Sequence, residues 1–140
     1  MKKTLSLILT LLILFSMSGC SGNFSLYKSG IYRVYGESYS YKIRSYKESE
    51  VPGNIRLSFG KLEGAYVYEM YAGTKFYSHL SYKITVEKGE IEVSILGEGI
   101  ILEQPQGEID LSTLKNDYIH LLIKSENAEN IEIQLCPYNA

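Results

Sequence analysis

Tryptophan is absent from this chain, and proline, histidine and cysteine are scarce, at three, two and two residues. Each shortage excludes something. A metal centre needs three or four convergent ligands, whereas His79 and His120 lie far apart and no His-x-His or Cys-x-x-Cys spacing occurs, so no metal is expected. Gly-x-Ser-x-Gly, the P-loop and the dinucleotide-binding glycine pattern are also missing, so neither their chemistry nor a cofactor is expected. The longest apolar run, residues 5–15, is broken only by Ser6 and Thr10. It falls short of the ~20 residues that a helix needs to cross a bilayer core.

That run follows Lys2 and Lys3, and a charged start with a short apolar stretch has the layout of a secretion signal. Met17, Ser18, Gly19 and Cys20 come directly after it. They resemble the lipobox of bacterial lipoproteins, in which small residues precede an obligatory cysteine. The resemblance implies that residues 1–19 are a cleaved signal peptide and that the Cys20 thiol carries a diacylglyceryl group. Localisation then follows as the extracytoplasmic face of the cell membrane. Two acyl chains, at ~0.8 kcal/mol per buried methylene, make such an anchor lasting. Residues 20–30 read as the lipidated cysteine and a short tether, whose flexible reach would be about 15–20 Å. Residues 31–140 read as a single domain, enough chain for one core.

The whole chain carries a formal charge of −2, and without Lys2 and Lys3 twelve basic residues face sixteen acidic ones, a balance of −4. A nucleic-acid partner is not expected, because it calls for a clustered basic face. Lys42, Arg44 and Lys47 form only a small basic stripe. With Cys20 acylated, Cys136 has no partner for a disulfide and reads as a structural thiol at the end of the last strand pattern.

Period-two alternation dominates residues 31–140. In residues 76–86, Phe76, Leu80, Tyr82, Ile84 and Val86 share one face, and Tyr77, His79, Lys83 and Thr85 share the other. Residues 91–95 repeat the pattern, with Lys88-Gly89 between as a hairpin turn. The expected register pairs Val86 with Ile91, Ile84 with Val93 and Tyr82 with Ile95, leaving Glu87 opposite Glu90 and Lys83 diagonal to Glu92. A final hairpin is expected to pair Ile119, Leu121 and Ile123 with Leu135, Ile133 and Ile131 around a loop at Asn127. Further strands are expected at 31–35, 39–46, 55–59, 65–71, 100–103 and 108–111, punctuated by glycine and proline, with one helical turn near 112–116. The expectation is an all-β fold: an antiparallel β-sandwich of about eight or nine strands, with an up-and-down β-barrel as the alternative.

From Leu57 onward the chain also resembles the small sandwich domains of Gram-positive lipoproteins. Leu62-Glu63-Gly64, Ala72-Gly73-Thr74, Glu87-Lys88-Gly89, residues 114–123 and Asn127-Ala128 carry the likeness. It implies an architecture and transfers no functional residue.

The compositional excess is tyrosine: thirteen in all, with Tyr27, Tyr32, Tyr35, Tyr39, Tyr41 and Tyr46 inside twenty residues. Tyrosine suits half-buried strands. Its rigid apolar face and polar tip also suit surfaces that bind peptides, sugars or headgroups. Strict alternation puts Tyr39 and Tyr41 with Ile43 on the apolar side, and Tyr46 with Lys42 and Arg44 on the wet side. Lys42, Arg44, Tyr46, Tyr77 and His79 are therefore the candidate partner face. Carboxylate pairs at Glu90/Glu92 and Glu108/Asp110 are what alternation produces on a solvated strand, and no catalytic residue is expected. The expected function is a non-enzymatic binding module at the membrane surface, with a protein or peptide there as partner. The alternative is a protective lipoprotein that sequesters a membrane-active peptide.

Overall fold

A computed structural model describes residues 22–51, 53–71 and 77–140. The signal segment and Cys20 lie outside them. In chain order the elements are β1 (Gly22–Val34), β2 (Glu37–Val51), β3 (Asn54–Tyr71), β4 (His79–Lys88), β5 (Glu92–Ile95), β6 (Ile100–Ile101), β7 (Gln106–Asp110), a 3-10 turn (Leu111–Thr113) and β8 (Tyr118–Tyr138). The fold is all-β: one antiparallel sheet of eight strands, sandwich-like and not closed into a barrel. The strand order is β1-β2-β3-β8-β4-β7, with β5 also on β8 and β6 on β5. Residues 22–30, expected as tether, are the first nine of the thirteen residues of β1 and pair with β2 from Gly22↔Ser49 onward.

Both expected hairpins exchange partners. β4 pairs with the C-terminal half of β8, with Val86↔Ile131, Ile84↔Ile133 and Tyr82↔Leu135. β5 pairs with the N-terminal half, with Val93↔Ile123 and Ile95↔Leu121. Leu80, Tyr82, Ile84, Val86, Val93 and Ile95 keep the face that alternation assigns, and only the neighbour changes; Tyr77, expected on the wet face, is half-buried against the core, and Phe76 lies outside the described residues. Periodicity fixes the face of a strand and leaves its partner open whenever several strands share one pattern. The expected Glu87/Glu90 and Lys83/Glu92 juxtapositions do not form. Glu87 instead accepts a hydrogen bond from Asn130 Nδ2 at 3.1 Å, and Lys88 lies 4.0 Å from Glu129.

The loop expected at Asn127 and the turn expected at residues 60–64 lie within strands. β3 and β8 run unbroken beside each other, with a register shift between Leu62 and Gly64. That shift is a bulge, where glycine serves better than a side chain. Gly64 has φ +96°, and an added Cβ would stand 2.3 Å from the Ser40 carbonyl oxygen. Across the bulge the Ala128 amide donates to Ser125 Oγ at 2.7 Å, which satisfies a donor the ladder has lost.

A second irregularity crosses the sheet from strand to strand. Pairing is interrupted at Leu26, Ser45, Gly60 and Asn130, while the register on either side is unchanged. Ser45 and Asn130 have φ of 55° and 53°, the left-handed region. A left-handed residue in a strand turns the following side chains by one step. Buried positions are accordingly three apart at Ile43/Tyr46, Phe59/Leu62 and Ala128/Ile131. Gly60 permits this crease, since a Cβ there would stand 2.9 Å from both Arg44 O and Ser45 Cβ. The aliphatic side chains on both sides of the crease join one core with Tyr46, Tyr66, Tyr68 and Tyr82.

Beyond Tyr41↔Gly64, β2 leaves β3, while β1 and β2 stay paired to Val34↔Glu37. The two-stranded arm that results lies over the outer side of β3 and β8. Its tip residue Tyr35 packs its ring on Gly97 in the β5–β6 turn. Val67 and Leu122, which face away from the main core, are buried nevertheless. Residues 66–68 and 121–123 are thus buried in succession, which strict alternation cannot produce. The expected helical turn is the 3-10 turn Leu111–Thr113, capped by Asp110 Oδ1, which accepts from Ser112 N at 3.0 Å and Ser112 Oγ at 2.6 Å. Those bonds, the side-chain one first, hold the Asp110 carboxyl below its usual pKa.

Candidate functional site

Lys42 and Arg44 stand exposed on the outer side of β2. Their cross-strand neighbours are Ser29 and Tyr27 on β1, and Glu63 and Lys61 on β3. Tyr46 does not join them. It is 1% exposed, because the left-handed Ser45 turns it into the core. There Lys28 Nζ donates to Tyr66 Oη at 3.1 Å, Tyr66 Oη donates to Tyr46 Oη at 3.0 Å, and Tyr46 Oη donates to Glu48 at 3.2 Å. The Lys28 ammonium also sits 4.4 Å above the Tyr46 ring, a cation–π contact. Burial, then the bond to Tyr66, pushes the Tyr46 phenol well above its ordinary pKa. The network gives each buried hydroxyl a partner, as a buried polar group requires. The tyrosine crowding therefore serves the core at Tyr46 and, half-buried against it, at Tyr41.

Tyr77 and His79 lie elsewhere. Leu62, beside Lys42's neighbour Glu63, pairs with Ala128, whereas His79 pairs with Tyr138. Ten positions of β8 separate the two levels, roughly 33 Å in an extended strand. The five expected residues do not form one face.

His79 stacks on Tyr138 with ring centroids 5.4 Å apart, and its Nδ1 is 2.8 Å from Ser78 Oγ. Asp110 is its cross-strand neighbour, which puts serine, histidine and aspartate together at one edge. Ser78 also bonds to residues 138–140. Ser78 N donates to Tyr138 O at 3.1 Å and to Asn139 Oδ1 at 3.0 Å, and Ala140 N donates to Ser78 Oγ at 2.9 Å. Asp110 turns its oxygen to Ser112 instead of the imidazole. Nucleophilic catalysis needs a free hydroxyl aligned on a base that a third group orients, whereas here Ser78 Oγ also accepts from Ala140 N and Asp110 bonds to Ser112. Cys136, half-buried, has its Sγ 3.8 Å from Asn54 Oδ1.

His120 points away from Ile119 and Leu121 as alternation predicts, yet it is no surface residue: its side chain is 12% exposed. The arm covers it. Tyr35 meets it edge-on at 5.5 Å and Tyr32 lies at 6.2 Å. His120 Nε2 is 3.3 Å from Glu69 Oε2, and Tyr32 Oη donates to the same carboxylate oxygen. Burial, then Glu69, pushes the Tyr32 phenol up to about 12. This Tyr32–Glu69–His120 contact fastens the arm to the sheet. Glu69 and His120 are neighbours only across β3 and β8, so no local sequence pattern announces them.

Between the arm and the sheet runs an open groove of about 850 Å³. Ser38, Tyr39 and Ser40 form its arm side, and Ile91, Glu92 and Lys124 lie on its sheet side. Glu90 and Glu126 add further acidic groups. Among the described residues no three histidine, cysteine or carboxylate groups gather to hold a metal. The groove is lined by hydroxyls, carboxylates and one lysine. No family model, no curated protein and no solved structure matches this chain.

Proposed function

We propose that the chain is a membrane-anchored lipoprotein of the extracytoplasmic surface, acting as a non-enzymatic binding module. The observation that carries the anchor is the sequence of Lys2 and Lys3, a short apolar run and Met17-Ser18-Gly19-Cys20. The described residues open on β1 at Gly22, two residues after Cys20. The binding role is supported by the polar groove under the arm.

Metabolic labelling with palmitate tests the anchor. The wild-type chain takes up label and sediments with membranes, and Cys20→Ala takes up none. Continued labelling of Cys20→Ala would overturn the reading. Crosslinking from Tyr39 and Lys124 in living cells, followed by pulldown, tests the binding role. A partner captured from both positions supports it, and the absence of any adduct from either counts against it.

A further inference from the structure

The outer side of the β1–β2 pair carries an unusual combination. Phe24, Leu26, Tyr27 and Ile31 are exposed at 62, 74, 63 and 65%, the four most exposed of the nine large hydrophobic side chains that stand out among the described residues. All four belong to β1, at the open edge of the sheet order. Leu26 stands on the crease, opposite Ser45, where the β1–β2 pairing is interrupted. Cations frame the apolar residues. Lys47 is opposite Phe24, Arg44 opposite Tyr27 and Lys42 opposite Ser29, and Arg33 follows along β1. These four are exposed, and the acids of the same β2 stretch, Glu48 and Glu50, alternate to the other side. Opposite Lys42 on β3 stands one carboxylate, Glu63, which lies 3.4 Å from Lys61.

A chain of net negative charge has thus gathered cations around a row of exposed apolar side chains. A soluble domain seldom leaves such a row on one strand without a covering surface. Aromatic and aliphatic tips among lysine and arginine suit the boundary of an anionic bilayer, where the apolar groups enter the headgroup zone and the cations meet phosphate. The lipid-bearing position lies two residues before this same strand. A separate protein partner would need to reach between the edge strand and its own anchor.

We propose that the outer face of β1 and β2 docks on anionic lipid, so that the domain lies against the membrane with Leu26 and Ile31 at the acyl boundary and Lys42, Arg44 and Lys47 on the headgroups. The orientation rests on the anchored reading above, but the affinity of the face for lipid does not, and two arms of one experiment separate them.

With no tryptophan in the chain, a substituted one is a single reporter. In the first arm the lipidated protein carrying Leu26→Trp or Ile31→Trp is reconstituted in vesicles of phosphatidylcholine and phosphatidylglycerol containing brominated lipid. Quenching of at least about twofold is expected at both positions, for residues at the depth of the headgroup boundary. None is expected for Ile101→Trp on β6. Unquenched emission at 26 and 31 in protein that floats with the vesicles would overturn the proposal, and so would equal quenching at 101. Protein that never acquires lipid refutes the anchored reading instead.

In the second arm the mature chain is made without lipid, residues 21–140, which hold the core cluster of the described residues. It is expected to sediment with the anionic vesicles and stay free of pure phosphatidylcholine. Substituting Lys42→Gln, Arg44→Gln and Lys47→Gln together should weaken partition by about a hundredfold, from roughly fivefold for each cation removed. Equal partition of that variant would overturn the proposal. Retention on heparin without partition onto vesicles would overturn it too, and give the face to a soluble polyanion.

Discussion

Replacing Gly60 with alanine tests the crease that organises this sheet. The added methyl would lie 2.9 Å from the Arg44 carbonyl oxygen and 2.9 Å from Ser45 Cβ, nearer than carbon tolerates against either. The carbonyl oxygen belongs to the backbone of β2 beside the Arg44↔Lys61 pair, so it cannot swing away as a side chain would. Overpacking of this kind costs about 1–3 kcal/mol. Reduced freedom of the unfolded chain returns roughly 0.4–1 kcal/mol. The net expectation is destabilisation of about 1–2 kcal/mol, read as a lower urea midpoint at unchanged slope. Ser45→Gly supplies the internal control. It relieves a left-handed residue, worth about 1–2 kcal/mol, against an entropic cost of about 0.5–1 kcal/mol. That single change should be neutral to mildly stabilising. It also removes one of the two atoms in the clash, so Gly60→Ala should cost about 1 kcal/mol less when Ser45 is already glycine. Urea unfolding of the four chains, followed by far-UV circular dichroism, closes the cycle. A neutral Gly60→Ala, or effects that add within about 0.3 kcal/mol, would refute the account of the crease.

Three further outcomes follow from the hydrogen bonds. Tyr46 and Tyr68 have phenol pKa values raised first by burial, and Tyr32 is raised to about 12. The folded state keeps these protons above pH ~10 while the unfolded chain releases them, so stability is intact below that pH and falls as pH rises, by at most about 1.4 kcal/mol per unit for each tyrosine. Urea titrations between about pH 9 and 11 should show the decline, with a shallower slope in Tyr46→Phe. The Glu98 carboxylate accepts from Lys115 N at 3.0 Å and from Asn116 N and Nδ2 at 3.1 Å each. Glu98→Ala should cost about 1–3 kcal/mol and speed amide exchange at residues 115 and 116 most of all. Asp110, with its pKa lowered by Ser112, should hold the 3-10 turn down to pH values below the usual carboxylate range, and the Ser112 amide resonance should shift with the Asp110 titration as acid is added.

Much of the architecture is legible in the sequence because alternation reports burial directly. Leu80, Tyr82 and Ile84, Val93 and Ile95, and Ile131, Ile133 and Leu135 face the core as their spacing requires. The same pattern misassigns Tyr46, since alternation counts every residue as extended and a left-handed Ser45 breaks the count. Ser45 is an ordinary strand residue by type, and nothing local marks its φ. The glycines at 60 and 64 are read as a turn because glycine commonly ends strands, whereas here each admits a close backbone approach inside one. Nothing local marks the burial of His120, because the arm that covers it starts some eighty positions earlier in the chain.

The division between the two levels has one physical origin. Which side chains are apolar, how often they recur, the signal-like start and the cysteine at position 20 are local properties, and the chain alone determined an all-β domain with one core and no motif for metal or nucleotide. Partners, creases and coverings depend on contacts between distant residues, and the tertiary structure alone decided them. It gave β4 and β5 to opposite halves of β8. It turned Tyr46 inward across a crease shared by neighbouring strands. It folded the β1–β2 arm over Glu69 and His120, and left Phe24, Leu26, Tyr27 and Ile31 outside among cations. A strand's own residues specify which face it buries; only the packed sheet specifies what lies against that face.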